Sequence, residues 1–182
     1  MKTGSNQADQ ETAIAVSAED FRYICGLFPS GVTVVTRRLV DGRPYGMTVS
    51  SFTSVSLEPP LILVCIEKEA GFVNGLEVGL PFLVNVLGED QQHLARRFAE
   101  RREDDRFSGA EWFSGWAKVP QLEGTVASFG CLLDRIVQAG DHVVLIGAVR
   151  MVQRHQGRAL VWCERGYHCL PAPFELGGSE VG

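Results

Sequence analysis

The sequence predicts a mainly β protein with accessory helices (α+β), organised as a closed or partly closed β-barrel. Several short segments, such as 32–36, are rich in the β-branched residues that are typical of strands. Asp41-Gly42 and residues 138–141 are hairpin turn signals that would join such segments in antiparallel pairs. The chain lacks the sustained alternation of strands and helices that a doubly wound parallel sheet needs. Together these three observations favour a barrel.

Length and composition indicate a single domain that binds neither nucleic acid nor membrane. The chain has 182 residues, of which 45% are hydrophobic and 21% charged, and its net charge is −5. A domain of this size buries roughly 70% of its unfolded surface. The acidic balance and the lack of a basic stripe with interleaved aromatic residues argue against nucleic-acid binding. No apolar run approaches the length of about 18 residues that a membrane span requires.

Cysteine usage predicts a cytoplasmic protein, and the composition of the terminal segments predicts a flexible tail at each end. The five cysteines form no C-x-x-C pair and have apolar neighbours, which is typical of reduced, buried thiols. Their spacing matches no familiar zinc pattern, so we expect no metal site. Residues 1–17 are polar and carry no secretory signal. We expect 1–17 to be a disordered tail, 18–170 to form the domain and 171–182 to be a flexible C-terminal tail.

The first predicted helix begins after Ser17 and ends at the break Pro29-Ser30-Gly31. Ser17 is a favoured N-cap residue, and Glu19 and Asp20 place negative charge in the first turn. Four apolar residues then recur at helical spacing: Phe21, Ile24, Cys25 and Phe28. A strand over 32–36 and the Asp41-Gly42 hairpin turn follow and lead into the centre of the fold.

The stretch from Gly46 to Ile66 is expected to be that centre. Six of the nine residues 48–56 carry a hydroxyl group, and residues 61–66 form an apolar run that predicts a strand buried on both faces. Apolar positions change parity within the hydroxyl-rich stretch, which predicts a β-bulge. A bulged, hydroxyl-rich strand beside a buried one suits a flat heterocycle with donors and acceptors on its edge. A water-facing edge strand is the alternative that this pattern leaves open.

The second half of the chain predicts two more helices and four strands. Residues 68–79 have the spacing of a short helix, and 81–87 that of a strand. Glu89 or Asp90 would cap a helix that runs to about Glu100 and turns Leu94, Ala95 and Phe98 inward. Charges of mixed sign on the outer face of this helix indicate a solvated surface. The remaining strands are predicted over 125–137, 142–152 and 159–163.

Two features of this half point to function without deciding it. Residues 107–123 contain Trp112, Phe113 and Trp116 without a clear period, and so long a connection is expected to line an interface or to cover a ligand pocket. His142 follows Gly140-Asp141 at the start of a strand, where it is either a simple turn residue or part of a site. The nucleophile elbow, the P-loop, the H-E-x-x-H motif and the G-x-G-x-x-G turn are all missing.

Several motifs in a fixed order resemble the short-chain flavin reductase family, a split β-barrel that binds FMN. The likeness covers about 21–170 and includes Phe28–Thr36 and Gly46–Leu61. Its later motifs are Phe82–Leu87, Leu94–Ala99, Asp105-Arg106-Phe107 and Gly140-Asp141-His142 before a strand that ends in Gly147.

The resemblance implies a set of residues that contact the cofactors. Thr48 to Ser51 and Ser54 would line the flavin ring and its ribityl chain, through backbone groups as much as hydroxyls. His142 is the implied catalytic residue, in contact with the nicotinamide cofactor, and Tyr167 would stack on nicotinamide or adenine. The full set of implied cofactor-binding residues is Ser30, Gly31, Thr48, Val49, Ser50, Ser51, Ser54, Cys65, Ile66, Lys68, Ala70, Gly71, Phe98, His142 and Tyr167.

The turn after Cys65–Lys68 is implied to lie near the flavin phosphate. Lys68 offers a positive charge, and the free N–H groups that open the predicted helix 68–79 would attract an anion. The family often has Ser or Thr in this turn, whereas this chain has Ala70-Gly71. The missing hydroxyl is expected either to weaken flavin binding or to shift the preference between FMN and FAD.

The implied function is that of an NAD(P)H:flavin oxidoreductase. NADH or NADPH would pass hydride from nicotinamide C4 to N5 of FMN (or FAD), and a homodimer would supply the reduced flavin to a partner monooxygenase. Two alternatives remain open. One is a flavoenzyme that retains FMN and acts on an organic substrate, with 112–116 as a pocket wall. The other is a non-catalytic flavin- or haem-binding split-barrel protein.

Overall fold

A long antiparallel hairpin is the centre of the fold, and shorter strands extend its sheet on both sides. The structure is a computed structural model that describes residues 16–100 and 106–171. The helices are α1 (Ala18–Gly26) and α2 (Gln92–Ala99). The strands are β1 (Ser30–Gly31), β2 (Thr33–Arg38), β3 (Pro44–Val49), β4 (Thr53–Leu57), β5 (Pro60–Glu67), β6 (Pro81–Val86), β7 (Trp112–Ser114), β8 (Pro120–Leu122), β9 (Ala127–Ala139), β10 (His142–Arg154), β11 (Leu160–Cys163) and β12 (Gly166–Cys169). The predicted mainly β class is therefore confirmed.

Seven strands form the main sheet, in the order β3-β2-β6-β9-β10-β5-β4, and every neighbouring pair is antiparallel. β9 and β10 make the central hairpin, whose register shifts at Ile146/Gly147 and again at Val149/Met151. Such bulges bend a strand and increase its twist. The sheet curls around one apolar core, to which six of its strands contribute buried side chains, including Val35, Tyr45, Val64, Phe82, Leu133 and Leu145.

A second core lies between the main sheet, α2 and a small sheet. That sheet has the order β1-β11-β12, and β7 and β8 form a separate hairpin. Val34, Phe98 and Leu160 are buried together in this core. Leu94, Ala95 and Phe98 of α2 face inward, as the helical spacing predicts. The second core therefore fixes α2 against β3, where the cleft described below opens.

α1 begins where the sequence predicts but buries none of its residues. The Ser17 hydroxyl accepts a hydrogen bond from the backbone N–H of Asp20 at 3.0 Å, so the predicted N-cap is confirmed. Phe21, Ile24 and Phe28 are nevertheless 62%, 61% and 78% exposed. Helical spacing establishes that these residues share a face, but nothing in the described residues covers that face.

Two predictions about secondary structure are wrong, and four short strands were not predicted. The predicted helix 68–79 is a single 3-10 turn over Gly71–Val73, because the residues on either side of it, Ala70 and Asn74, have extended backbone with ψ angles of 135° and 117°. α2 has Gln91 at its N-cap position in place of Glu89 or Asp90, and the Gln91 side chain accepts from the N–H of Gly88 instead. The short strands β1, β7, β8 and β12 were not predicted.

The burial of β5 also differs from the prediction. Ile62, Val64 and Ile66 are buried, whereas Leu61, Leu63 and Cys65 are only half-buried. Only one face of this strand meets the barrel core, and Cys65 on the other face lines the cleft. An apolar run therefore does not prove that a strand is covered on both sides.

The hydroxyl-rich stretch forms two strands, where the sequence predicts one bulged strand. β3 ends at Val49, residues 50–52 leave the ladder, and β4 resumes at Thr53. The predicted bulge exists and falls between Ser54 and Ser56, where the pairing with β5 shifts by one residue. This break between β3 and β4 forms one wall of the cleft.

None of residues 107–123 lines the cleft described below, so the structure does not support one of their two predicted roles, that of covering a ligand pocket. They contain the β7–β8 hairpin, whose Val119 and Leu122 are buried against the barrel. Thr36 of β2 donates a hydrogen bond from its hydroxyl to the carbonyl of Pro120. The predicted interface role stays a prediction.

The predicted tails, 1–17 and 171–182, lie almost entirely outside the described residues, so the predicted domain boundaries stay predictions. Within 16–100 and 106–171, no helix is long and apolar enough to cross a membrane.

Candidate functional site

An open cleft of about 770 Å³ lies between the end of β3, the strand β5, the end of α2 and the start of β10. Its volume falls in the range of about 300–1,000 Å³ that is usual for cofactor pockets. Its walls combine apolar side chains with hydroxyl, carboxylate and guanidinium groups. The lining residues are Tyr45, Met47, Thr48, Val49, Ser50, Ser51, Cys65, Glu67, Glu69, Ala70, Phe98, Ala99, Arg106 and His142.

Ser51 fastens the break after β3 to the neighbouring strand β5. Its hydroxyl accepts a hydrogen bond from the backbone N–H of Cys65 at 2.8 Å and donates one to the carbonyl of the same residue at 3.1 Å. The last paired residues of β4 and β5 are Thr53 and Leu63, so Ser51 would be the next partner of Cys65 in the same register. The side chain of Ser51 therefore takes the place of a strand backbone, and the cleft wall stays open there.

Two threonine hydroxyls hold the end of β3 from other sides. Thr48 donates to the carbonyl of Ala95 in α2 at 2.7 Å, and Thr33 of β2 donates to the carbonyl of Val49 at 2.7 Å. Ser50 is exposed, and its hydroxyl makes no hydrogen bond within the described part of the chain. Of the hydroxyl groups in 48–51, that of Ser50 is therefore free to bind a ligand.

Arg106 forms a buried cationic part of the cleft wall and is only 8% exposed. Its guanidinium donates to the carbonyl of Gly46 at 2.8 Å, to the Tyr45 hydroxyl at 3.3 Å and to the carbonyl of Glu100. It also lies 5.4 Å from the centre of the Tyr45 ring. Arg106 thus joins the end of α2 to β3 across a sequence separation of 60 residues.

Gly46 allows β3 and α2 to approach each other closely. A Cβ atom at this position would lie 2.9 Å from Cε1 of Phe98, which is closer than such atoms approach. Phe98 is fully buried and meets Phe107 edge-on, with ring centres 5.1 Å apart. The glycine therefore sets the narrow distance between the two elements that frame the cleft.

His142 stands at the first position of β10, opposite Glu67 of β5. Its Nδ1 lies 2.7 Å from a carboxylate oxygen of Asp141, and the His142 side chain is 40% exposed. The hydrogen bond from His142 lowers the pKa of Asp141 below its usual value. A charged Asp141 that accepts from Nδ1 leaves Nε2 of the imidazole free to contact a ligand.

Tyr167 lies beside the cleft in a smaller pocket that shares Thr48, Ser50 and Ala99 with it. Burial raises the pKa of the Tyr167 phenol, against the opposing effect of the nearby Arg96 charge. The ring of Tyr167 is therefore neutral at physiological pH.

Residues 25–171 match the protein family described as the flavin reductase like domain. The chain belongs to this flavin reductase family. The predicted family is thereby confirmed for most of the chain's length.

Similar proteins of this family are curated or structurally known. This flavin reductase-family protein is 38% identical over 156 residues to a Rhizobium meliloti protein named "Probable flavin reductase". The match covers 86% of this chain and 50% of that protein, so this chain spans about half the length of that relative.

Two solved structures share the fold and confirm the predicted split-barrel class. BorF, the flavin reductase component of a bacterial two-component tryptophan halogenase, is 41% identical with a TM-score of 0.77, over 86% of this chain and 100% of BorF. The NADH:FAD oxidoreductase of Streptomyces globisporus, in complex with NAD and FAD fragments, is 33% identical with a TM-score of 0.79, over 86% and 94% of the two chains. The names of these two relatives, a flavin reductase component and an NADH:FAD oxidoreductase, agree with the class of enzyme and the cofactors that the sequence predicts.

The structure brings about half of the predicted site residues together in the cleft of this flavin reductase-family protein. Those that line it are Thr48, Val49, Ser50, Ser51, Cys65, Ala70, Phe98 and His142. Those outside its lining are Ser30, Gly31, Ser54, Ile66, Lys68, Gly71 and Tyr167. Ile66 is fully buried in the barrel core, and Ser30 and Gly31 pair with β11. The cofactor-binding role of each residue stays a prediction.

Sequence reasoning missed several residues of the cleft, namely Tyr45, Met47, Glu67, Glu69, Ala99 and Arg106. The motif Asp105-Arg106-Phe107 carried a signal for Arg106. The contact between Arg106 and Gly46, however, depends on the packing of α2 against β3, which the motif does not reveal. Among residues 16–100 and 106–171, no group of three or more His, Cys, Asp or Glu side chains is placed to hold a metal ion.

Proposed function

We propose that this protein is an NAD(P)H:flavin oxidoreductase that reduces FMN or FAD in the cleft and releases the product to a partner monooxygenase. One observation carries the proposal. The chain belongs to the flavin reductase family, and its cleft lies at the hydroxyl-rich break after β3, which the resemblance implies to be the flavin-binding segment. The proposed cofactors agree with the NAD and FAD fragments held by the Streptomyces relative.

The cleft residues suit a flat ring with polar edges. Met47 offers apolar contact, while the free hydroxyl of Ser50 and the backbone groups of the break offer hydrogen bonds. Because Ser51, Thr48 and Arg106 already fasten the wall, these groups are held in place before a ligand binds. Such preorganisation lowers the entropy cost of holding two reactants in line.

The bound flavin supplies the redox chemistry by accepting hydride from the reduced nicotinamide. The protein positions the reactants, and we propose His142 as the residue that contacts the nicotinamide cofactor. Asp141 fixes the orientation of the imidazole through the 2.7 Å contact with Nδ1. His142 lines the cleft opposite Glu67, and its side chain is 40% exposed, so a second ligand has access to it from solvent.

The proposed phosphate contact rests on Lys68 more than on helix geometry. Lys68 is exposed, and its backbone N–H donates to the carbonyl of Asp141 at 3.0 Å, so the main chain of Lys68 lies beside the residue that precedes His142. The 3-10 turn Gly71–Val73 that follows is too short to provide the anion-attracting helix end that the sequence predicts. Binding of the flavin phosphate here would therefore be modest, which suits a flavin that leaves after reduction.

We further propose that the protein works as a homodimer beside an oxygenase. The exposed apolar residues Phe21 and Ile24 of α1, together with Phe28 just after the helix, form a surface of the kind that subunits bury. A halogenase partner is named for BorF, and a monooxygenase is the corresponding partner that we propose here. The predicted cytoplasmic location stays a prediction.

Steady-state oxidation of NADH and of NADPH, followed at 340 nm with FMN, FAD or riboflavin, tests the proposal. We expect a colourless purified protein that oxidises the nicotinamide only when flavin is added. A tightly bound yellow flavin would favour the alternative of an FMN-retaining flavoenzyme. The alternative predicts that residues 112–116 form a wall of the pocket, and these residues do not line the cleft. Failure to oxidise either nicotinamide with any of the three flavins would reject the proposal.

A further inference from the structure

A buried arginine lies behind the wall of the cleft. Arg37 of β2 is only 1% exposed, which is unusual for a charged side chain. Its Nη2 donates a hydrogen bond to the carbonyl of Asn74, whereas neither Nε nor Nη1 has a hydrogen-bond partner in the described part of the chain. No carboxylate there forms a salt bridge with Arg37. The side chain therefore carries a charge that the surrounding protein does not neutralise.

Strand pairing and ring contacts place Arg37 next to residues that form the cleft wall. Arg37 stands directly opposite Tyr45 in the pairing of β2 with β3, and Tyr45 lines the cleft. The Arg37 guanidinium lies 5.5 Å from the centre of the Phe72 ring, which meets the Tyr45 ring edge-on with centres 5.9 Å apart. Phe72 belongs to the turn Gly71–Val73, which directly follows Ala70, another residue of the cleft lining. The buried charge is thus separated from the cleft by single side chains.

The burial of Arg37 lowers the stability of the folded protein. Moving a charged group out of water without full hydrogen bonding is unfavourable, and replacing such groups by apolar side chains is often neutral or stabilising. Burial accordingly lowers the pKa of Arg37, against the opposing effect of Tyr45. The ring of Phe72 and the carbonyl of Asn74 compensate for only part of the lost hydration, because two nitrogens stay without a partner. Residues that reduce stability in this way often occur where function requires them.

The other charges at the cleft indicate what a buried cation contributes there. Glu67 and Glu69 both line the cleft, and their carboxylates repel an anionic ligand. Lys68 is exposed, so solvent and salt screen its charge. Arg106 lines the cleft as a second buried guanidinium, but Arg37 does not line it and acts only through its field. A charge in the low-dielectric interior is screened little, so Arg37 can attract an anionic group into a cleft that two carboxylates line.

We propose that Arg37 is a positioning residue that makes the cleft select a flavin with a phosphate group over one without it. Its buried charge attracts the phosphate of FMN, or the corresponding phosphate of FAD, toward the part of the cleft that Tyr45 and Ala70 line. Riboflavin has no phosphate and gains nothing from this charge. The identity of the ligand as a flavin rests on the proposed function. Because Arg37 does not reach the cleft, the selection depends on charge and not on a hydrogen bond to the ligand.

Titration of the complete protein with FMN and with riboflavin, followed by the quenching of flavin fluorescence, tests this role without an enzyme assay. Arg37→Met should raise the Kd for FMN roughly tenfold, the effect of one unit charge about 10 Å away at an effective dielectric constant of about 20. The Kd for riboflavin should stay unchanged. Arg38→Met is the matched control, because Arg38 is the next residue of the same strand and is exposed; it should change neither Kd.

Two further measurements separate attraction by charge from a structural effect. The loss of FMN affinity in Arg37→Met should persist when the salt concentration rises from about 0.05 M to about 0.5 M, whereas that in Lys68→Met should shrink, since only the exposed charge is screened. The melting temperature of flavin-free Arg37→Met should equal or exceed that of the wild type, because the change removes an unpaired buried charge. Arg37→Gln keeps a donor for the carbonyl of Asn74 and should show the same loss of FMN affinity if Arg37→Met does not fold.

Several results would overturn the proposal. A neutral variant of Arg37 that binds FMN as tightly as the wild type, or that loses affinity for FMN and riboflavin equally, contradicts it. Failure of both neutral variants to fold would assign Arg37 to the structure alone. A wild-type protein that binds the two flavins equally tightly overturns the selection but leaves the proposed function intact. A wild-type protein that binds flavin but oxidises no nicotinamide refutes the proposed function, while the two titrations still decide the role of Arg37.

Discussion

The hydroxyl of Ser51 both accepts from the backbone N–H of Cys65 and donates to the carbonyl of Cys65, at 2.8 Å and 3.1 Å. A side chain therefore continues a ladder that the backbone abandons after Thr53 and Leu63. This arrangement explains why a polar, irregular segment can form the wall of an open cleft. The backbone groups of Cys65 are satisfied from the cleft side without a further strand that would fill it.

Ser51→Ala is expected to lower the free energy of unfolding by about 1–2 kcal/mol, because it leaves the N–H of Cys65 without its partner. Urea denaturation of the flavin-free protein measures this change. Ser50→Ala is the matched control: its hydroxyl is exposed and makes no hydrogen bond within the described residues, so we expect a change below about 0.5 kcal/mol. Equal stability of the two variants would show that the Ser51–Cys65 contact does not fasten the wall.

Thiol labelling is expected to distinguish the five cysteines by their surroundings. Burial raises the pKa of Cys131 to about 12, so this thiol stays protonated and unreactive at pH 8 until the protein unfolds. Cys25 and Cys169 are exposed and should react first. Cys65 lines the cleft, and FMN should slow its modification while leaving that of Cys25 unchanged. Peptide mapping after timed labelling gives the rates, and equal Cys65 rates with and without FMN would contradict the flavin position.

The raised pKa of Cys131 also predicts a loss of stability in alkali. An unfolded thiol ionises near pH 9, whereas the folded one does not until about pH 12. The unfolded state is therefore favoured progressively as the pH rises from about 9 to 12. Cys131→Ala should flatten this part of the stability profile relative to Cys169→Ala, as measured by thermal unfolding at each pH.

His142→Ala is expected to raise the KM for NADH more than the KM for flavin, because the imidazole stands at the rim of the cleft. Asp141→Asn should have a smaller effect in the same direction, since it removes the charge that orients Nδ1. The lowered pKa of Asp141 keeps its carboxylate ionised at every pH above about 4, so Asp141→Asn removes a full negative charge at assay pH. Asp134→Asn, in an exposed ion pair on β9, is the control. A larger effect of His142→Ala on flavin would move His142 away from the nicotinamide.

Arg106→Lys is expected to destabilise the protein by about 2–4 kcal/mol, because a lysine cannot reach Gly46, Tyr45 and Glu100 together. The same change should weaken FMN binding, since Gly46 lies next to the wall of the cleft. Urea unfolding and quenching of FMN fluorescence measure the two effects. Arg135→Lys is the exposed control and should be neutral in both. Wild-type stability in Arg106→Lys would show that the buried guanidinium is not needed to join α2 to β3.

Local patterns were sufficient for those features that depend on neighbouring residues. The cap at Ser17 and the inward face of α2 follow from spacing and residue type within a few positions. The motifs from Gly46 to Leu61 also located the hydroxyl-rich wall correctly, because the side chains that fasten it lie in the motif itself.

Features that depend on distant contacts were missed. Helical spacing in α1 could not show that Phe21 and Ile24 stay exposed, since it does not reveal what covers a face. Arg106 binds the carbonyl of Gly46, 60 residues away, and no local pattern encodes that distance. The left-handed residues of the β11–β12 turn, Glu164 and Arg165, are not those that usually signal a tight hairpin, so the turn was not predicted. Each of these exists only once the sheets have packed.

A crystal of the protein soaked with FMN tests the central claim most directly. We predict difference density for the isoalloxazine ring in the cleft, against Thr48 to Ser51 and between Cys65 and Phe98, with one face open toward His142. An ordered flavin bound elsewhere on the protein, with this cleft empty, would contradict the account.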